Sequence, residues 1–173
     1  DLLAQRGDHV EAAGVFAEAY ALSGDDLGLL RSQARQMLLT EPPSVRRVAD
    51  MLAGRESEMQ EAPGLRSMYA RALDGLGRAV PADQQFGRAL ADLRTLVADG
   101  RLAGPNLAAW VDQVRRATGE DMERTEARVR RLAGDELEPW LLAGLGQGWL
   151  LSGTPGRAAE RFEAALEATG DAP

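Results

Sequence analysis

Residues Pro139 to Gly170 constrain the fold most, because small and bulky side chains alternate there at helical spacings that only a tight helix pair satisfies. Two antiparallel helices joined by a short turn must approach closely, so each needs a small residue at the crossing and a bulky one beside it. Gly146 and Ala158 supply the small residues, and Leu142, Leu145, Trp149 and Phe162 the bulky ones. Between the two helices, Gly153 permits a left-handed residue, Thr154 is placed to cap the second helix, and Pro155 sits in its first turn, where no amide partner is lost.

Leu142, Leu145, Gly146 and Trp149 have the spacing W-x-x-L-G-x-x-Y, and Ala158 and Phe162 the spacing A-x-x-x-F. The segment therefore resembles a tetratricopeptide (TPR) unit, with Leu for the leading Trp, Trp for Tyr, and Gly170 for the closing Pro. A second match runs through Gly7, Asp8, His9, Val10, Glu11, Ala12, Phe16 and Ala19, and a third through Tyr69, Ala70, Leu73, Gly77, Pro81, Ala82, Phe86 and Ala89.

At a period of about 34 residues, the 173-residue chain holds five units, roughly 1–26 (incomplete), 27–62, 63–104, 105–138 and 139–172. Phe16, Ala49, Phe86, Val129 and Phe162 align in one column of second helices, separated by 33, 37, 43 and 33 residues. All three phenylalanines fall in that column, which favours such a solenoid over a four-helix bundle or a HEAT-like array. The expected fold is all-α, a right-handed solenoid of about ten helices forming a single domain. Because the sequence opens at Asp1 without Met, it reads as a piece of a longer chain.

Punctuation gives the elements between these matches. Asp25 and Asp26 precede a helix running to about Leu39, which Pro42 and Pro43 stop; Val45, Ala49 and Leu52 follow on a short second helix. Arg55 to Glu61 reads as a polar loop. Pro63 starts the next first helix and Pro81 its partner, which runs to about Ala98; 99–104 forms a loop. The fourth pair, with Leu107, Trp110, Val111 and Val114 facing Thr125, Val129 and Leu132, is the least regular.

Composition narrows the function. Ala, Leu and Arg dominate, eight aromatic residues and no Ile disfavour a sheet, and the lack of Lys, with a single Asn, matches a bacterial genome rich in G and C. Cysteine is absent, so there is no disulfide or thiolate site, and the formal charge of -7 disfavours nucleic acid and anionic membrane. The apolar run Trp140–Leu151 is far short of the ~20 residues of a membrane span. Compartment, cytoplasmic or periplasmic, is left open.

No catalytic constellation emerges. His9 stands alone, and Gly144-Leu145-Gly146-Gln147-Gly148 lies inside a helix rather than between strand and helix, so it reads as a helix crossing and not a nucleotide loop. Asp25-Asp26, Glu120-Asp121 and Glu136 precede helices and read as caps. Arg124, Arg128 and Arg131 form a stripe that Glu120 and Glu126 pair into a solvated surface.

In TPR proteins the first helices line a groove that holds a peptide. Carried over by register, the resemblance implies a partner-binding groove of Arg31, Arg35 and Leu38; Ser67, Arg71 and Asp74; Asp112 and Arg115; and Trp140, Gln147 and Leu150. Arg35 and Arg71 then share one position in successive units. The family's carboxylate clamp of Lys and Asn has no counterpart at these sites. The expected function is a non-catalytic protein-protein interaction scaffold without cofactor or metal, binding a peptide or protein with acidic and apolar side chains. The same arginines would equally solvate a concave face. The alternative is a ligand-responsive regulatory or sensor domain.

Overall fold

A computed structural model describes residues 7–24, 26–101 and 105–170, and the described residues contain helices and no strand. The helices are α1 (His9–Ser23), α2 (Leu27–Leu39), α3 (Val45–Leu52), α4 (Glu56–Glu61), α5 (Pro63–Gly75), α6 (Ala79–Ala98), α7 (Pro105–Ala117), α8 (Met122–Ala133), α9 (Pro139–Leu151) and α10 (Pro155–Thr169). The chain divides into two compact units, Asp1–Gln85 and Phe86–Pro173, with the boundary inside α6.

Most helix ends obey the punctuation. The Asp26 carboxylate accepts from the amides of Gly28 (2.8 Å) and Leu29 (3.3 Å) at the start of α2, and Asp121 accepts from Arg124 N–H (3.0 Å) at the start of α8. Gly153, at φ +77°, makes the turn between α9 and α10. Asp25, the remnant 1–5 of the first helix, and 102–104 of the expected loop lie outside the described residues.

Five expectations are corrected. Glu56–Glu61 is helical, because Met59, 0% exposed, anchors that turn in the core. The helix assigned to Pro81 begins at Ala79, leaving Pro81 still in the first turn, where amides have no intrahelical partner. Thr154 makes no side-chain cap, and neither does Glu136, since α9 opens at Pro139 behind Glu138. Arg128 and Glu126 are not part of a solvated surface, as described below.

In the first unit α2 packs on α1, α3 and α5, and α5 also meets α3 and α4. Leu30, Ala34, Leu38, Val48, Leu52, Met59 and Leu65 form a continuous core. Helices α2 and α5 run parallel at a fixed offset. Arg31 Cδ lies 3.6 Å from where a Cβ would stand on Gly64, and Arg71 Nη2 donates to the Leu38 carbonyl (2.9 Å), a separation of 33 residues each time.

The second unit repeats that register. Val111 meets Gly144 and Arg115 meets Gly148, again 33 residues apart and in the same order, so α7 and α9 are parallel. Between α9 and α10 the order reverses: Gly146 meets Phe162, and the Arg157 guanidinium lies over the Trp149 ring at 5.1 Å, so this pair is antiparallel. The three alternate glycines of α9 thus serve three neighbours. A Cβ would stand 2.8 Å from Val111 Cγ2 at Gly144, 2.8 Å from Phe162 Cε1 at Gly146, and 2.7 Å from Met122 Cε at Gly148.

In the same unit, Trp110 (1% exposed) donates Nε1–H to the Phe86 carbonyl (3.1 Å) and meets the Phe86 ring edge-on at 6.2 Å. Arg128 is buried with its guanidinium 5.1 Å from the Phe86 ring centre. Trp110→Phe keeps an aromatic ring and removes the donor. It is expected to cost about 1–2 kcal/mol, read as a lower urea midpoint at unchanged slope.

Glu126 ties α8, α9 and α10 together. Its carboxylate accepts from Trp149 Nε1 (3.0 Å), Arg130 Nη2 (3.0 Å) and Arg161 Nε (3.2 Å), with Arg161 Nη2 at 2.9 Å, while only 12% of the side chain is exposed.

Candidate binding cleft

The parallel approach of α7 and α9 leaves a cleft of about 220 Å³, lined by Ala108, Ala109, Val111, Asp112 and Arg115 on α7 and Gly144, Gln147, Gly148 and Leu151 on α9. Gly144, packed on Val111 of α7, and Gly148, packed on Met122 of α8 with Arg115 Cδ 3.6 Å away, line it one turn apart without adding side chains. Leu151, 65% exposed, stands at one edge, and Gln147 is exposed on the rim.

Charge in the cleft is internally balanced. Asp112 Oδ1 accepts from Arg115 Nη2 (2.9 Å) and Nε (3.2 Å), and Oδ2 from Arg116 Nε (2.8 Å). Arg115, whose side chain is 9% exposed, also has Nη1 3.3 Å from Glu120 Oε2. Burial pushes the Asp112 carboxyl up, but the hydrogen bonds from Arg116 and Arg115 outweigh it and hold the group below its ordinary value. The site is therefore a neutral, largely apolar trough with an ion-paired wall.

Of the residues expected in a groove, Asp112, Arg115 and Gln147 come together here. Leu150 is 54% exposed and Trp140 half-buried, and neither lines the cleft. In the first unit Arg31 and Arg35 are exposed and Asp74 is half-buried. Leu38 (1% exposed) is core, and Ser67 (2%) donates its hydroxyl to the Pro63 carbonyl at 2.8 Å, so neither offers surface to a partner. Arg71 is held on the Leu38 carbonyl.

That contact also sets the register. Arg35 and Arg71 are 36 residues apart, whereas the observed offset of 33 places Leu38, not Arg35, beside Arg71. The sequence reading missed Ala108, Ala109, Val111 and Leu151 as lining residues; the glycine alternation of α9 was the signal for the cleft.

No family model, characterised protein or solved structure matches the chain.

Proposed function

We propose that the chain is a non-catalytic scaffold of stacked helix pairs, similar to a TPR array, that holds a peptide or protein segment along its first helices. The recurrence of one 33-residue parallel register in both units supports the stacking. The observation that carries the binding reading is the cleft, where glycine and alanine leave an open trough on the face that the resemblance assigns to partners.

The chemistry of the cleft selects the partner. Arg115 and Arg116 already have carboxylates, so the cleft calls for apolar side chains on the segment, with polar backbone reaching Gln147. Acidic side chains of a partner would match Arg31 and Arg35 in the first unit, both exposed.

Ala109→Trp fills the trough from an exposed helical position, where substitution shifts stability by only about 0.5 kcal/mol. With an array of fluorescein-labelled decapeptides carrying Leu or Met at alternate positions, wild type should bind a subset, and the variant should bind it at least about tenfold more weakly. Absence of any binder, or unchanged affinity in Ala109→Trp, would refute this assignment.

A further inference from the structure

The outer face of α10 carries a second surface of different chemistry. Pro155, Ala159, Phe162 and Leu166 fall at i, i+4, i+7 and i+11, a single stripe along the helix, and all four are exposed. Phe162 is 37% and Leu166 54% exposed, although burial is the normal fate of side chains of this size at such spacing. Leu150, on the same face of α9 as Gly146 and one turn beyond it, adds a further apolar side chain.

Beside the stripe runs an acidic rim. Glu160, Glu163 and Glu167 are spaced three and four residues apart, so they share one flank, and none forms an ion pair with a described residue. The neighbouring cations are committed elsewhere, Arg157 over Trp149 and Arg161 on Glu126. Unlike the internally neutralised cleft, this face has charge to offer a partner.

We propose that this face docks an amphipathic helix of a partner in which Arg or Lys flanks a leucine-type stripe. Apolar side chains would seat over Phe162 and Leu166 while the basic flank meets Glu160, Glu163 and Glu167. A second copy of α10 fits poorly. In an antiparallel self-pairing each flank faces its own counterpart, so the three carboxylates of one copy would oppose those of the other.

Two synthetic helices of about 18 residues span the roughly 22 Å of α10. Both carry the same Leu stripe, one with Arg and one with Glu on the flank, and their anisotropy is titrated with the full chain. The Arg-flanked peptide is expected to bind about tenfold more tightly, with an advantage that shrinks in high salt.

Replacing Glu160, Glu163 and Glu167 together by Gln should erase that advantage. Leu166→Asp should remove binding of both peptides while the circular dichroism melt is kept; it is used first because Phe162 also contacts Gly146. The cleft variant Ala109→Trp should leave this binding unchanged, which separates the two surfaces. Equal binding of both peptides, binding of neither, retention in Leu166→Asp, or Leu166-dependent self-association by sedimentation would each overturn the proposal.

Discussion

Gly144→Leu is expected to unfold the second unit at moderate urea, and even Gly144→Ala to destabilise it, although alanine is the better helix former. A Cβ at this position would lie 2.8 Å from Val111 Cγ2, 3.1 Å from Val111 Cβ and 3.5 Å from Ala108 Cα. The obstruction is a branched side chain close to its own backbone, so relief requires α7 to move. Overfilling a tight contact costs about 1–3 kcal/mol, occasionally more, against a gain near 1 kcal/mol in helix propensity.

The net loss for alanine is therefore about 1 kcal/mol, and for leucine about 3 kcal/mol or more. Gly87, within α6 in the same unit and with nothing within 4 Å of a Cβ, provides the control. Gly87→Ala should stabilise by about 0.5–1 kcal/mol. Urea midpoints of the three variants check the order; a stable Gly144→Leu would mean that α7 and α9 do not meet in the 33-residue register.

Several boundaries were legible from one residue: Pro63 and Pro155 each open a helix, and Asp26 and Asp121 cap theirs, whereas Pro81 and Thr154 did not mark theirs as expected. The turn Glu56–Glu61 was not legible, since a single buried methionine among polar residues has no period to display. Burial within the phenylalanine column was equally hidden. Phe86 is 0% exposed and Phe162 37%, because Phe86 has Trp110 and Arg128 against its ring whereas Phe162 touches α9 and leaves its outer side uncovered.

Register was legible only to within one helical turn. Offsets of 33 and 36 residues differ by three positions, nearly one turn, so both bring similar faces of α2 and α5 together. The resemblance gave Arg35 and Arg71 one position in successive units, whereas the residue of α2 that Arg71 reaches is Leu38, whose carbonyl accepts from its guanidinium. In the cleft, residue type named Asp112, Arg115 and Gln147, but their balanced charge depends on Arg116 and Glu120, which only the fold shows to be their partners.

Glu126→Leu should be among the most damaging single substitutions. The sequence exposes only the local half of its role, the i, i+4 pair with Arg130; Trp149 and Arg161 arrive from helices 23 and 35 residues away. Removing the carboxylate strands two guanidinium groups and an indole N–H beneath a surface that leaves Glu126 only 12% exposed. Breaking a fully buried pair costs about 3–5 kcal/mol; allowing for the solvent that reaches Arg130, about 2–3 kcal/mol is expected.

Burial pushes the Glu126 carboxyl up, but hydrogen bonds from Trp149, Arg161 and Arg130 outweigh it, so the folded group titrates below its ordinary 4.5. A depressed carboxyl stabilises the fold fully above the unfolded value and loses that contribution as pH falls through the folded one. Wild type should therefore lose urea stability progressively below about pH 4.5. Glu126→Gln should start lower at neutral pH and show a flatter acid limb, retaining a fall from Asp112, whose carboxyl is likewise held down. Parallel pH profiles for the two proteins would remove Glu126 as the tie among α8, α9 and α10.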